Sequence, residues 1–426
     1  MIATISIVFA IFAVLGMPLA YALGLAGLAG ILVGGFPIIQ LSGKMVHSID
    51  SFPFLAIPLF MLAGQLMLRG GIMERLIDWA NAIVGRVHGG LGHVTIVTAM
   101  GLSAVSGSAV ADATALGGTL GPALSKVYGK PFGAALVASA SNLGPIIPPS
   151  IGMIVYALLA GEVSIGALFI SGIVPGIFLG LAMMGLCSYY AWRRGYPLIG
   201  EGFNLRNVLV QTRRSFIVFL MPVLVIGGII GGVFTATEGA AVAVVYALII
   251  GFFVTRKLRL ADLPVALLNA AIITAIVGAL IAFASQVTYL LTAEMIGVRV
   301  GDWLRSLTDN PLTFVFLVQL VLIVVGMFME ANAAYIMLVP IIAPIAVLQY
   351  GLDPVYFGFL FVMNITLGGI TPPVGVLLFV VSGIWRVPVI DIIKEIWPFI
   401  VLQYGVLFLC MLFPELVLFL PRLVGY

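Results

Sequence analysis

The sequence predicts an all-α polytopic membrane protein built as an inverted repeat, with two re-entrant helical hairpins and two broken transmembrane helices. Three observations carry this. Of the 426 residues, 62% are hydrophobic and only 8% charged, at a mean hydropathy of +1.26, whereas soluble domains carry about 25% charged residues. Two near-identical stretches, Leu143-Gly-Pro-Ile-Ile-Pro-Pro149 and Leu367-Gly-Gly-Ile-Thr-Pro-Pro373, interrupt apolar sequence. A Gly followed by tandem Pro cannot continue a helix, because the prolines lack N–H donors and their rings clash with the preceding turn. In lipid the freed backbone groups must line protein or water. The third observation is a one-sided distribution of Lys and Arg.

Long apolar runs recur through the chain, and their length and lack of alternation exclude a membrane β-barrel. Cys187 and Cys410 both fall in apolar runs, which argues against a disulfide framework or a thiolate metal site. The net charge of +3 does not point to nucleic acid.

In chain order, residues 1–36 read as one long or broken span, too long and apolar for a removable signal peptide. Gly24, Gly27, Gly30 and Gly34 give it a stripe where another helix can approach. Gln40–Asp50 reads as a polar link and about 53–68 as a span. Gly71–Arg86 alternates charged and apolar residues at helical spacing, as a surface-lying helix does. Two half-length segments, about 91–105 and 109–125, flank Ser103-Ala-Val-Ser-Gly-Ser108 and suit a re-entrant hairpin. A segment running to about 160 is broken at Asn142–Pro149, and a span covers about 163–192. After a cationic loop come spans at 215–235 and 238–255. The plan then repeats: a span at about 264–291, a surface helix with Glu294, Arg299, Asp302 and Arg305, and half-segments 312–328 and 332–348 around Met329-Glu-Ala-Asn332. A helix broken at Gly368–Pro373 follows, then a final span at about 391–420. Trp79, Trp303 and Trp397 read as interfacial anchors. His47, His88 and His93 read as loop residues, which offers neither a metal site nor a catalytic triad.

An offset of 224 residues places Pro148 on Pro372, and one of 222 places Pro122 on Pro344, so an internal duplication is credible. Threading the spans with the first hairpin entering from the cytoplasm leaves only Lys44, Arg299, Arg305 and Arg422, of 19 Lys and Arg, on the far side. That is a strong positive-inside bias. The second hairpin then enters from the opposite face. Inverted repeats with discontinuous helices are the arrangement of alternating-access secondary transporters. No GxxxxGK[ST] loop occurs, so ATP drive is not encoded.

The chain resembles the large membrane subunit of tripartite ATP-independent periplasmic (TRAP) transporters over essentially its whole length. The carriers are Asp50-Ser-Phe-Pro-Phe-Leu-Ala-Ile-Pro-Leu-Phe60, Ser106-Gly-Ser-Ala-Val-Ala-Asp112, Leu143–Ser150, Thr237-Glu-Gly-Ala-Ala241, Phe328-Met-Glu330 and Leu367–Gly375. The resemblance implies an elevator fold, sodium coupling, a periplasmic substrate-binding protein that delivers an organic acid, and a small four-helix membrane subunit. It also implies a multi-pass place in the bacterial inner membrane. The version of the Ser106–Asp112 motif is similar to that of sialic-acid and sugar-acid members, with C4-dicarboxylates left open. The units expected are 1–52 (scaffold span and link), 53–160 (first repeat), 161–262 (scaffold spans and cationic loop), 263–386 (second repeat) and 387–426 (final span).

Sodium wants about five or six hard oxygen ligands, which helix breaks supply as carbonyls. Ser103, Ser106, Asn142 and Gly144 are candidates for one sodium site, and Gly326, Asn332, Gly368 and Thr371 for its symmetry mate. Single Ser, Asn or Thr residues also serve as helix-packing glue. Candidate substrate contacts are Ser106, Ser108, Asp112, Pro148, Glu330 and Thr371. The hairpin helix N-termini at Ser108 and near Glu330 suit a carboxylate, and no Lys or Arg falls in either tip or break. Asp112 and Glu330 are acids at membrane depth, a functional signature; the bland alternative is a carboxylate satisfied by nearby helix ends. Glu238 reads equally as a helix cap or a contact residue. The rival transport reading is a dicarboxylate or citrate carrier of the same superfamily that works without a binding protein. An intramembrane enzyme would need a nucleophile–base pair, for which the sequence offers no histidine in a span.

Overall fold

The computed structural model describes residues 1–161, 163–198, 200 and 202–426, and every regular element among them is helical. Eight helical stretches among the described residues are long and apolar enough to cross a membrane. The N-terminal region, read as one long or broken span, is divided into two helices. It forms α1 (Ile2–Val14) and α2 (Leu19–Gly34), each shorter than the ~20 residues of a crossing helix. Gly16, at φ +80°, and Pro18 end the first helix. The two run antiparallel, with Ile5 against Gly30 and Met1 against Gly34. The glycine stripe serves as read: a Cβ on Gly24 would lie 2.5 Å from Phe283, and one on Gly27 2.7 Å from Gln286. The expected polar link is also a helix, α3 (Ile39–Ile49), whose apolar and polar residues fall on opposite faces.

Next come α4 (Ala56–Arg69), α5 (Ile72–Val84), α6 (Gly90–Ser106), α7 (Ala109–Tyr128), α8 (Lys130–Ser141) and α9 (Ile151–Ala160). Then α10 (Ile165–Ser171), α11 (Ile173–Arg193), α12 (Leu205–Ile230) and α13 (Ala236–Ile249) lead to α14 (Asp262–Ala293). The second half holds α15 (Ile296–Leu307), α16 (Pro311–Phe328), α17 (Ala331–Pro344), α18 (Pro354–Gly368), α19 (Val376–Trp385), α20 (Val389–Leu412) and α21 (Glu415–Leu423). The run α6–α9 thus recurs as α16–α19, and both tandem prolines, Pro148-Pro149 and Pro372-Pro373, are cis.

Three further expectations change. The hairpin helices are longer than half-spans: α7 has 20 residues and α16 has 18, so length alone does not make them re-entrant. The last span ends at Leu412, where Phe413-Pro414 turns the chain into α21. His47 lies in α3, and His93 lies in the first turn of α6, buried, with its Nε2 2.9 Å from the Met184 carbonyl. Glu238 is a helix cap: its carboxylate accepts from Thr235 N (2.8 Å) while Thr235 Oγ accepts from Glu238 N (3.3 Å).

The contacts divide the charges as the threading required. Arg69 faces Asp262 (3.6 Å), Lys257 pairs with Glu74, Arg75 donates to the Arg214 carbonyl (2.8 Å) and Arg194 to Glu395 (2.7 Å), all at one end of the bundle. Lys44 sits over Tyr289 and Arg305 donates to the Gln349 carbonyl at the other. Hairpin 1 has its open ends at the cation-rich end, where Gly92 N donates to Tyr128 Oη (3.1 Å). Hairpin 2 has its ends at the opposite one, where Tyr350 Oη donates to the Thr308 carbonyl (2.9 Å). The two hairpins therefore enter the bundle from opposite ends.

Packing is tight where hairpin 2 meets its broken helix. A Cβ on Gly368 would run into the Gly326 backbone, whereas one on Gly185, exposed on α11, would meet nothing within 4 Å. Gly368→Ala should therefore destabilise the protein by about 1–3 kcal/mol, and Gly185→Ala should stabilise it by about 0.5–1 kcal/mol. Thermal unfolding in detergent should place the first below, and the second at or above, the parent.

Candidate functional site

Each hairpin tip is a helix end followed at once by a helix start. At tip 1, Gly107 adopts φ +61°, and a Cβ there would lie 2.6 Å from the Pro149 carbonyl oxygen, so only glycine lets the tip touch the break. Ser108 then turns extended, and its hydroxyl accepts from Ala111 N (3.4 Å), capping α7. At tip 2 the corresponding cap is Glu330, which accepts from Ala333 N (3.2 Å) and from Asn332 Nδ2 (2.8 Å).

The tips rest on the breaks. Around Gly144 the chain is so close that a Cβ would lie 3.0 Å from Ala109 N and 2.8 Å from Asp112 Oδ2. A Cβ on Gly326 would lie 3.1 Å from Gly368 Cα, and Val374 N donates to the Met327 carbonyl (3.3 Å) across the same junction. Within the breaks, Ser150 donates to the Pro145 carbonyl (2.6 Å) and Thr371 to the Leu367 carbonyl (2.8 Å). The Ser150 hydroxyl thereby serves a carbonyl that Pro149, without an N–H, cannot.

Buried amides flank both breaks. Asn142 donates to Gln403 Oε1 (2.9 Å), and Gln403 donates to the Ser139 carbonyl (3.1 Å), leaving Asn142 Oδ1 with no partner. In the other half Asn364 donates to Gln319 Oε1 (2.5 Å), leaving Asn364 Oδ1 and Gln319 Nε2 unpartnered. Asp112 is fully buried; Ser106 donates to its Oδ1, and Ser103 Oγ lies 3.3 Å from its Oδ2.

Both tips and both breaks converge on one cavity of about 140 Å³. Its polar lining is Ser108, Asn142, Glu330, Asn332, Tyr335 and Thr366, with Met61 of α4 and Ile273 of α14 closing the side. Of the residues singled out in the sequence, Ser108, Asn142, Glu330 and Asn332 are on the wall. Ser103, Ser106, Asp112 and Gly144 lie behind tip 1, while Gly326, Gly368 and Thr371 lie behind tip 2. Pro148 is buried in its break and does not reach the wall. Sequence reasoning passed over Thr366, Tyr335 and Gln403. Thr366 had a signal: the 224-residue offset that carries Pro148 to Pro372 carries Asn142 to Thr366. No Lys or Arg is among the lining residues, and Glu330 is their one carboxylate.

Residues 6–416 match the family described as "Tripartite ATP-independent periplasmic transporter, DctM component". The isethionate TRAP transporter permease protein of Oleidesulfovibrio alaskensis is 39% identical over 96% of this chain, which spans 65% of that relative's length. The sialic acid TRAP transporter permease protein of Haemophilus influenzae is 35% identical over 96% of the chain and 66% of its own length. The C4-dicarboxylate TRAP transporter large permease protein of Pseudomonas aeruginosa is 38% identical over 95% of the chain and 94% of its own. Among solved structures, that of the Alcanivorax borkumensis YdaH transporter aligns with a TM-score of 0.66 at 15% identity, covering 89% of each chain. That is a likeness of fold.

The bond from α20 to the first break is testable. Gln403→Leu strips the acceptor from Asn142 and the donor from Ser139 O, and should cost about 1–3 kcal/mol. In a cycle with Asn142→Ala, thermal unfolding should show coupling of about 0.5 kcal/mol or more. Strictly additive effects would mean the two side chains do not depend on each other.

Proposed function

The chain belongs to the DctM-component family of tripartite ATP-independent periplasmic transporters, and from that premise we propose that it is the membrane carrier of a sodium-driven organic-acid importer. It is a multi-pass membrane protein of a transporter family, not an enzyme. The observation that carries the proposal is the convergence of two hairpin tips and two helix breaks, entering from opposite ends, on one cavity.

In this reading a periplasmic binding protein delivers the acid, and a small four-helix subunit accompanies the carrier in the bacterial inner membrane. The named substrates of the relatives are all acids: isethionate, sialic acid and C4-dicarboxylates. For this chain a sugar acid or a C4-dicarboxylate is the proposed class. The carboxylate is held by the amides at the N-terminus of α7 and by the Ser108 hydroxyl, with no Arg in contact. Repulsion from Glu330 then has to be offset by a cation that travels with the acid, which supports sodium coupling. Asn142 Oδ1, buried and unpartnered, is the kind of hard oxygen sodium requires, and Ser103, Ser106 and Gly144 surround it in the proposed first site. The proposed second site draws on Gly326, Asn332, Gly368 and Thr371, with the unpartnered Asn364 Oδ1 one turn before Gly368.

For transport, the two hairpins and the two broken helices move as one body past the remaining spans, in an elevator step. Helix α11, expected in the scaffold, and α20, the final span, are bonded to hairpin 1 and the first break through His93–Met184 (2.9 Å) and Asn142–Gln403 (2.9 Å), which supports placing both in the moving body. Gly64 of α4 is the near-contact across the sliding surface, where a Cβ would lie 3.3 Å from Ser106 Cα.

Proteoliposomes with the cognate binding protein and small subunit test this. Uptake of labelled sialic acid or succinate should require an inward sodium gradient. Asn142→Ala should raise the sodium concentration for half-maximal uptake about tenfold, equivalent to about 1.4 kcal/mol. Uptake indifferent to sodium would overturn the coupling, and uptake without the binding protein would favour the stand-alone carrier.

A further inference from the structure

A second, larger chamber adjoins the central cavity. It measures about 600 Å³, and its polar lining is Gln65, Arg69, Ser108, Thr114, Thr119 and Asn269. Ser108, Val110 and Ile273 line both spaces, so the two lie side by side at tip 1. One wall is a face of α7: Ser108, Ala111, Ala115 and Thr119 recur at three- or four-residue spacing. The other wall comes from α4 and α14. The chamber leads from the interior toward the cation-rich end, where Arg69 closes α4.

Arg69 is the one Lys or Arg among the residues lining either space. Its nearest carboxylate is Asp262 Oδ1 at 3.6 Å, beyond hydrogen-bond reach, and Asp262 Oδ2 is already committed to Arg259 N (2.9 Å). Arg69 Nε is buried and has no partner. A guanidinium side chain about a third exposed, held loosely by one acid at the wall of the chamber, is suited to receive a second anion.

We propose that this chamber is an exit site, in which Arg69 takes the carboxylate of the transported acid after it leaves the central cavity. The identity of the anion rests on the importer reading above; the anion site itself rests on the chamber.

The test does not need the substrate. Cys187 and Cys410 are buried, so Thr119→Cys supplies one accessible thiol in the chamber. In non-ionic detergent its rates of modification by anionic sulfonatoethyl and cationic trimethylammonioethyl methanethiosulfonate are compared. With Arg69 present, the anionic-to-cationic ratio should be about fivefold or more above that in Arg69→Gln, and Arg69→Lys should keep most of it. Misfolding would raise both rates together and leave the ratio unmoved. Equal ratios in the parent and Arg69→Gln would overturn the exit site whatever the chain transports. A contrast abolished by added phosphatidylglycerol would make a lipid headgroup the occupant and also overturn it. In proteoliposomes, Arg69→Gln should cut maximal uptake about tenfold with its sodium dependence unchanged, while Asp262→Asn should not. If both substitutions lose uptake alike, the ion pair is a strut and the proposal fails. A ratio contrast without acid uptake by the parent would retain the anion site and reject the importer reading.

Discussion

The constraint on which the structure depends is that a helix broken inside an apolar bundle must find partners for its backbone groups. Two breaks raise the problem twice, and the chain answers it with local hydroxyls, hairpin tips and glycines. Ser150 and Thr371 donate back to carbonyls within their own breaks, and the caps Ser108 and Glu330 cover amides at the helix starts. Glycine then does what no other residue can. Gly107, Gly144, Gly326 and Gly368 let backbone lie against backbone, so tip and break pack directly on each other. The cavity is what remains between the four sealed ends.

The mirrored halves share geometry but not chemistry. In the first, Ser103, Ser106 and Asp112 stand behind the tip. The 222-residue offset that carries Pro122 to Pro344 carries Asp112 to Ala334, so the second half has no carboxylate in that place. It has instead the Asn364–Gln319 pair and two opposed glycines. A duplication keeps the backbone solution, because any other would leave amides and carbonyls bare. Side chains facing the cavity are under no such rule and have diverged.

Much of this was legible in the sequence because the signals are local. A Gly followed by tandem Pro breaks a helix wherever it stands, a Ser-Gly-Ser tip turns one, and Lys and Arg mark one end of the bundle. Other features have no local signature. The α1–α2 turn at Gly16–Pro18 sits in sequence as apolar as its flanks, and α3 was hidden because polar residues at helical spacing can also be a link. Gln403 reaches Asn142 across 261 residues, a pairing that no periodicity announces. Consequently the sequence identified the broken helices but not which neighbours α11 and α20 are bonded to, because those contacts have no local signature.

The two caps also decide where in the cavity an anion is best received. Both α7 and α17 direct N-terminal amides inward, and each terminus carries partial positive charge. Glu330 spends its own charge on its terminus, with Ala333 N and Asn332 Nδ2 as its partners, so α17 presents a neutralised end backed by a carboxylate. Ser108 caps α7 with a neutral hydroxyl, so that terminus presents no carboxylate at the wall. The only carboxylate nearby on α7, Asp112, is turned away into Ser103 and Ser106. A cavity assembled from two near-equivalent halves is therefore electrostatically one-sided, with its positive end at tip 1. Tip 1 is also where the central cavity lies against the chamber lined by Arg69. The field and the way out consequently favour the same side of the cavity.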